Sequence, residues 1–201
     1  GNLTEKILAK GPKKIFAVEK DKFLTKKLHE KFKEKIILIN EDILKIDEKK
    51  YSNDPMIVFG NLPYNISTQI LIKWIRYNNL SNTFKKFILM FQKEVAERII
   101  AKFNTSAYGR LSILANWKLK INKICDIKPE SFSPRPKVDS SLLFFSPKED
   151  FFKIKNPKNL ELITRVFFNH RRKMLKKPFN QLFNGNQKIL DKLNINLNLR
   201  P

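Results

Sequence analysis

Apolar positions along this chain change rhythm several times, and each change marks an element. Glu5 to Lys10 reads as a helix that Gly11-Pro12 ends. Lys14 to Val18 is a short apolar run closing on Glu19, and Lys35 to Asn40 is another, followed by Glu41-Asp42. Between them, Asp21 to Lys33 repeats Leu24, Leu28 and Phe32 at four-residue spacing, one stripe of a helix. Strand, helix, strand in this order predicts right-handed parallel crossovers. Met56-Ile57-Val58 gives a third strand, Phe59 to Asn65 a tight turn, and Thr68 to Arg76 a helix with Ile70, Leu71, Trp74 and Ile75 on its core face. Ser67-Thr68-Gln69 can cap that helix.

Further on, Lys86 to Phe91 is a strand and Gln92 to Phe103 an amphipathic helix with Val95, Ile99 and Phe103 inward. Leu111 to Trp117 reads as a helix. Lys118 to Lys128 alternates apolar and basic residues, the pattern of a half-exposed strand, and Ser140 to Phe145 is a continuous apolar strand that pairs antiparallel with it. Pro147 to Pro157 is charged and irregular and reads as a boundary. Beyond it, Leu160, Ile163 and Phe167 form a helical stripe, with further helices at Arg172 to Phe183 and Gln187 to Leu193. The expected fold is α/β, a mostly parallel sheet ending in an antiparallel hairpin over residues 1–149, followed by a small all-α domain over 150–201.

Composition narrows the partners. Lys and Arg number 41 against 19 acids in 201 residues, a net charge of +22, and a chain this basic binds a polyanion more often than not. A lysine-rich proteome is the plainer explanation, but it raises Glu along with Lys, and here Glu has not kept pace. No run of 18 apolar residues offers a membrane span. Cys125 is the only cysteine, which excludes an internal disulfide and fits a reducing, cytoplasmic setting. His29 and His170, with one cysteine, make no plausible zinc set.

The most specific chemistry lies in Phe59-Gly60-Asn61-Leu62-Pro63-Tyr64-Asn65, at the carboxyl end of the third strand, the edge where ligands sit in open α/β sheets. An exocyclic amine on a nucleobase is a poor nucleophile, because its lone pair is delocalised into the ring. Acceptors on both N–H groups pull the nitrogen towards tetrahedral geometry and free that pair. The side-chain oxygen of Asn61 and the carbonyl of Leu62 are two such acceptors, Pro63 fixes the backbone between them, and Tyr64 offers a ring for the base to stack on. A Gly-Asn-Pro loop with a half-buried tyrosine accounts for the same residues without chemistry.

Other residues fit the same picture. Glu19 sits just past the second strand position of a doubly wound fold, where the ribose-binding acid belongs. Taken singly, Glu19 and Asp42 are more simply helix caps; as acids at the carboxyl ends of consecutive strands they read as a pair. Pro129 to Asp139 carries three prolines and reads as stiff and extended, a mount for Phe132, which otherwise packs its loop down. From Arg165 to Lys177 there are six basic residues and no acid, suited to RNA phosphates.

Asn61 to Tyr64, then Phe132-Ser133-Pro134-Arg135-Pro136-Lys137-Val138-Asp139-Ser140, then Phe168-Asn169-His170-Arg171-Arg172-Lys173, resemble in order and spacing the bacterial small-subunit ribosomal RNA adenine N6,N6-dimethyltransferases. The resemblance runs along nearly the whole chain. It implies a Rossmann-like methyltransferase sheet, S-adenosylmethionine as cofactor, and dimethylation of two adjacent adenines near the 3′ end of small-subunit RNA in a pre-30S particle. It assigns Glu19 to the cofactor's ribose hydroxyls and Asp42 to its adenine amine, with Gly1, Lys20, Ile43 and Asn61 completing the cofactor set. Asn61, Leu62, Pro63, Tyr64 and Phe132 become the catalytic set, Tyr64 and Phe132 sandwiching a flipped adenine. Arg135, Lys137, Arg165, Arg171, Arg172, Lys173, Lys176 and Lys177 become RNA contacts, on an enzyme expected to be monomeric. The family's first strand and the front of its glycine loop are not matched; only Gly1-Asn2-Leu3-Thr4 corresponds to that loop's tail, and relatives continue beyond Pro201. The chain is therefore expected to be part of a longer enzyme and to methylate negligibly by itself. A large-subunit RNA methyltransferase of the macrolide-resistance type shares the Asn-x-Pro-Tyr loop, and a non-catalytic ribosome-assembly module on the same scaffold is the alternative of a different class.

Overall fold

The computed structural model describes residues 1–169 and 171–201; His170, part of the third motif, lies outside them. The chain divides into two compact units, Gly1–Asp54 and Pro55–Pro201, and each carries its own sheet.

In the first unit, α1 (Asn2–Leu8) leads to β1 (Phe16–Val18), α2 (Lys22–Phe32) and β2 (Ile37–Ile39). β1 and β2 pair in parallel with Ala17 opposite Leu38, the crossover that the strand–helix–strand rhythm predicts. Asp21 caps α2 by accepting the Leu24 amide at 2.9 Å, and Phe32 is buried at its far end. Glu19 and Asp42 both follow the carboxyl ends of these strands, as their spacing requires.

The second unit holds a mixed sheet of order β3-β4-β6-β5, from β3 (Met56–Asn61), β4 (Phe84–Gln92), β5 (Leu119–Ile127) and β6 (Ser140–Pro147). β3 runs parallel to β4; β6 is antiparallel to both β4 and β5. The strand predicted at Met56 to Val58 continues to Asn61, so the motif begins inside the sheet and its first residue is fixed by register, Asn61 opposite Met90. α3 (Ser67–Ile75) buries Ile70, Leu71, Trp74 and Ile75, as its stripe predicts. A single turn, α4 (Leu80–Thr83), then leads into β4. Trp74 lies 5.2 Å from Phe87 and 6.0 Å from Phe84, ring centroid to ring centroid, and each large side chain so buried contributes about 1.5–3 kcal/mol.

Several expectations need correction. Ser67 does not cap α3 by accepting an amide; its hydroxyl donates to the Tyr64 carbonyl at 3.1 Å, turning back on the loop before it. α5 (Lys93–Ile100) ends before Phe103, which is 82% exposed rather than inward, because three residues past a helix end no longer share its face. Lys118 ends α6 (Arg110–Lys118) instead of opening an exposed strand, and is buried. The segment from Pro129 opens with a 3-10 turn, Pro129–Ser131, rather than running extended throughout.

The C-terminal helices are α7 (Pro157–Asn169), α8 (Lys176–Phe183) and α9 (Gln187–Leu193). α7 turns Thr164 and Val166 inward, while Ile163 of the predicted stripe is exposed. Arg76, just after α3, grips Glu161 of α7 with Nε–Oε1 at 2.7 Å and Nη2–Oε2 at 2.8 Å. That fork binds α7 to the end of α3 more firmly than a single bond. It holds the Glu161 carboxyl below and the Arg76 guanidinium above their usual ranges.

Candidate active site

Asn61 ends β3 with its side chain exposed, and no protein group bonds that amide among the described residues. The turn after it is set by packing. Leu62 is buried and folds back over Gly60, where a Cβ would meet Leu62 Cδ2 at 2.7 Å and Leu89 Cδ2 at 3.0 Å. A side chain at position 60 would therefore have to displace the Leu62 or Leu89 side chain. With Leu62 anchored inward, its backbone and Pro63 are held at the surface, and the Pro63 carbonyl accepts the Ile66 amide at 3.1 Å.

Tyr64 is half-buried, and its hydroxyl lies 2.6 Å from Ser140 Oγ, which is fully buried at the start of β6. This bond joins the amine loop to the proline segment, since Ser140 closes the run that carries Phe132. Phe132 is half-exposed, its amide donating to the Pro129 carbonyl at 3.1 Å. The Lys93 amide donates to the Asp139 carbonyl at 2.9 Å, fastening the same segment to the end of β4. Sequence reasoning missed Ser140 as the tyrosine's tether, although the second motif of the resemblance ends on it.

An acid latch lies alongside. Asp126 accepts from Lys123 Nζ and, at 2.6 Å, from Ser141 Oγ, with Lys93 Nζ 3.7 Å away. The Lys123 bond first, then that of Ser141, lowers its pKa from an ordinary 3.8 to about 2. Lys128 pairs with Asp139 at 2.9 Å, which raises the lysine's pKa. Neither latch was legible in the sequence, because a bulge between Lys123 and Cys125 in the β5–β6 pairing moves these side chains out of simple alternation.

In the first unit, the predicted cofactor residues are arranged as follows. Glu19 accepts the Asp21 amide on Oε1 at 2.9 Å, leaving Oε2 open to a hydroxyl. Asp42 is engaged on both oxygens, Oδ1 by the Leu44 amide at 3.0 Å and Oδ2 by Lys20 Nζ at 2.9 Å; these bonds keep its carboxyl ionised, below the usual range. The Lys20 side chain is 75% exposed and can swing away. Gly1 stands at the start of α1, its carbonyl accepting the Glu5 amide. Two carboxylates at neighbouring strand ends, one with a free oxygen, fit a ribose and an adenine amine. Ile43 follows Asp42 directly, half-buried.

Of the RNA candidates, Lys137, Arg165, Arg172, Lys173, Lys176 and Lys177 are without a carboxylate partner among the described residues. Arg135 differs: it pairs with Glu130. Arg171 donates to the Thr105 carbonyl at 3.1 Å and so partly braces the loop before α6.

Residues 1–200 match the family model described as ribosomal RNA adenine dimethylase. The chain is 62% identical over its whole length to ribosomal RNA small subunit methyltransferase A of Pelagibacter ubique, and 43% identical to the protein of that name in Ehrlichia ruminantium, spanning 77% of each. Among solved structures it is similar to a dimethyladenosine transferase from Plasmodium falciparum, with a TM-score of 0.76 and 30% identity over 99% of this chain and 73% of that one. The 23S rRNA methyltransferase ErmE shares the fold, with a TM-score of 0.69 at 18% identity over 99% of this chain and 80% of that one.

Proposed function

The chain belongs to the ribosomal RNA adenine dimethylase family, and from that we propose that it transfers methyl groups from S-adenosylmethionine to N6 of adenines in small-subunit ribosomal RNA. The named relatives carry this choice over a large-subunit target, since those with 62% and 43% identity act on the small subunit by name. The observation that ties the reaction to this chain is the unpartnered amide of Asn61 beside the Leu62 carbonyl, at the carboxyl end of β3.

S-adenosylmethionine, when bound, supplies a methyl group on a positively charged sulfur. The chain's own residues prepare the acceptor. Asn61 Oδ1 and the Leu62 carbonyl accept the two amine protons of the target adenine and localise its lone pair. Pro63 holds the two acceptors in one orientation. Tyr64, tethered through Ser140, and Phe132 flank the extruded base, and stacking of this kind is worth about 1–3 kcal/mol per base. Glu19 takes the cofactor's ribose hydroxyls on its free oxygen, and Asp42 its adenine amine once Lys20 yields; Gly1, Lys20 and Ile43 border the same ligand.

Residues 1–149 form the catalytic domain in this proposal and 150–201 a helical RNA-binding domain, with Lys137, Arg165, Arg171, Arg172, Lys173, Lys176 and Lys177 on phosphates. Arg135 reaches RNA only by leaving Glu130. Two adjacent adenines near the 3′ end of the RNA, in a cytoplasmic pre-30S particle met by a monomer, are the finer form of the proposal. Among the described residues no helix is long and apolar enough to cross a membrane. Primer extension across the 3′ end of small-subunit RNA tests it, comparing cells with and without the complete gene: methylation stops are expected only with it, and identical stops in both refute the assignment.

A further inference from the structure

The opposite edge of the mixed sheet carries a second concentration of chemistry that methyl transfer does not use. A half-open cavity of about 450 Å³ lies where β4 begins, β5 begins and β6 ends, one wall of it formed by residues from the 148–157 segment. Along β4, Phe84 at this edge is about 20 Å from Met90, the partner of Asn61, at roughly 3.3 Å per residue.

Lys118 lines this cavity and is only 3% exposed. Its ammonium donates to the Tyr77 carbonyl at 2.9 Å and lies 4.4 Å from the centroid of Trp117 and 5.3 Å from that of Phe151. No carboxylate pairs with it among the described residues, and burial pushes its pKa below the ordinary lysine range. A buried cation is costly without a counter-charge, and a carbonyl with two ring faces offsets that cost only in part. Lys148, Lys153 and Lys155 line the same space, none with a carboxylate partner among those residues, although the Lys148 ammonium donates to the Asn116 carbonyl at 2.5 Å, and Glu149 is the one acid on its wall. Beside them Phe152 holds its ring 81% exposed, while its carbonyl accepts the Trp117 indole N–H at 2.6 Å. Cations without a counter-charge beside the rings of Trp117 and Phe151, with the exposed ring of Phe152 next to them, match a surface that tracks a phosphate backbone and stacks its bases.

We propose that this cavity and the adjoining exposed ring of Phe152 form a second RNA site, taking one unpaired nucleotide of a single-stranded segment, its phosphate among Lys148, Lys153 and Lys155 on the cavity wall and its base on Phe152 just outside it. The segment that reads in the sequence only as a charged boundary is thereby a binding element. Lys118 contributes from behind, as the charge the phosphate completes. RNA as the nucleic acid rests on the proposed function, whereas the phosphate-and-base chemistry does not.

The test is ultraviolet crosslinking of the full chain to a short unstructured oligoadenylate, with the crosslinked peptides identified by mass spectrometry and affinity measured across a salt series. Crosslinks at Phe151 or Phe152 are expected. Combining Phe152→Ala, Lys153→Gln and Lys155→Gln, all at exposed positions, is expected to remove them, weaken binding at least about fivefold, and lower the log–log salt slope by about 0.7 for each phosphate no longer neutralised. Neutralising Arg171, Arg172 and Lys173 instead is expected to leave these crosslinks in place. Unchanged affinity in the triple variant, or crosslinks confined to the Asn61 edge and the C-terminal helices, overturns the proposal. So does adenosine monophosphate binding as tightly as the oligomer, which would make this a free-nucleotide site. None of these readouts depends on methyl transfer, so failure at this edge leaves the Asn61 assignment standing, and the reverse.

Discussion

In the functions proposed for them, the two edges of the mixed sheet would meet nucleic acid by opposite means. At the Asn61 edge the groups offered are neutral acceptors, placed by packing: Leu62 folded over Gly60, and Tyr64 tied to Ser140. At the Lys118 edge they are ammonium groups and aromatic faces, one cation buried and the others without a carboxylate. A neutral acceptor distinguishes an amine from other groups but adds little grip. A cation grips any phosphate and distinguishes little. In this reading Asn61 and Leu62 select the amine, Tyr64 and Phe132 hold the base, and the cations of the Lys118 edge and of the C-terminal helices hold phosphates; each experiment that follows can overturn or refine that division.

The largest effect belongs to Asn61. In the complete gene product, Asn61→Ala is expected to lower methylation about 10²–10³-fold, the range for removing one preorganised polar group, with RNA affinity nearly unchanged. Single-turnover rates beside filter-binding curves check both halves; near-normal turnover removes Asn61 from the mechanism, and weakened affinity would show that this edge grips as well as selects.

The base sandwich comes next. Tyr64→Ala or Phe132→Ala is expected to cost about 1–3 kcal/mol in productive binding, and Leu at either position to restore only part of it. Tyr64→Phe keeps the ring and removes the Ser140 bond, so it separates stacking from tethering. A Tyr64→Phe variant as weak as Tyr64→Ala would assign the effect to the tether.

Neutralising Arg171, Arg172 and Lys173 together is expected to flatten the salt dependence of RNA binding by up to about 0.7 in slope for each phosphate released, borrowing the single-strand value, without changing the rate at saturating RNA. An unchanged slope would mean that these residues only support the helices, as Arg171 already does through the Thr105 carbonyl.

The smallest effect concerns acid. Asp126, with its pKa lowered to about 2 by Lys123, Ser141 and Lys93, stabilises the folded chain while it is ionised. Because the folded value lies below the ordinary 3.8, that contribution is complete above about pH 4 and disappears as pH falls from there through 2. Asp126→Asn is expected to lower the melting temperature at neutral pH and to differ little from the parent near pH 2. Thermal melts from pH 6 to 2 check it, and a constant difference across that range would show that the latch is not electrostatic. Acid is thus expected to loosen the start of β6 at the Asn61 edge.

Much of this molecule is written in local pattern. The stripe Ile70, Leu71, Trp74, Ile75 becomes the buried face of α3, the spacing that put Glu19 and Asp42 past consecutive strands holds in the parallel β1–β2 pair, and the apolar run from Ser140 pairs antiparallel with β5. These are properties of helix and strand periodicity, which a sequence carries residue by residue. The place of the motif Asn61 to Tyr64 was likewise legible, a strand end followed by a turn, and Asn61 does end β3. What the tertiary structure alone decided depends on residues far apart in the chain. Tyr64 finds Ser140 across 76 positions, Lys118 finds the Tyr77 carbonyl across 41, and Trp117 finds the carbonyl of Phe152 across 35. Lys118 sat in an alternating basic pattern that marked it as exposed, and only the packing of a helix end against a strand end buried it. Local pattern fixes which face of an element is apolar; which cation loses its water is settled when separate elements close over it.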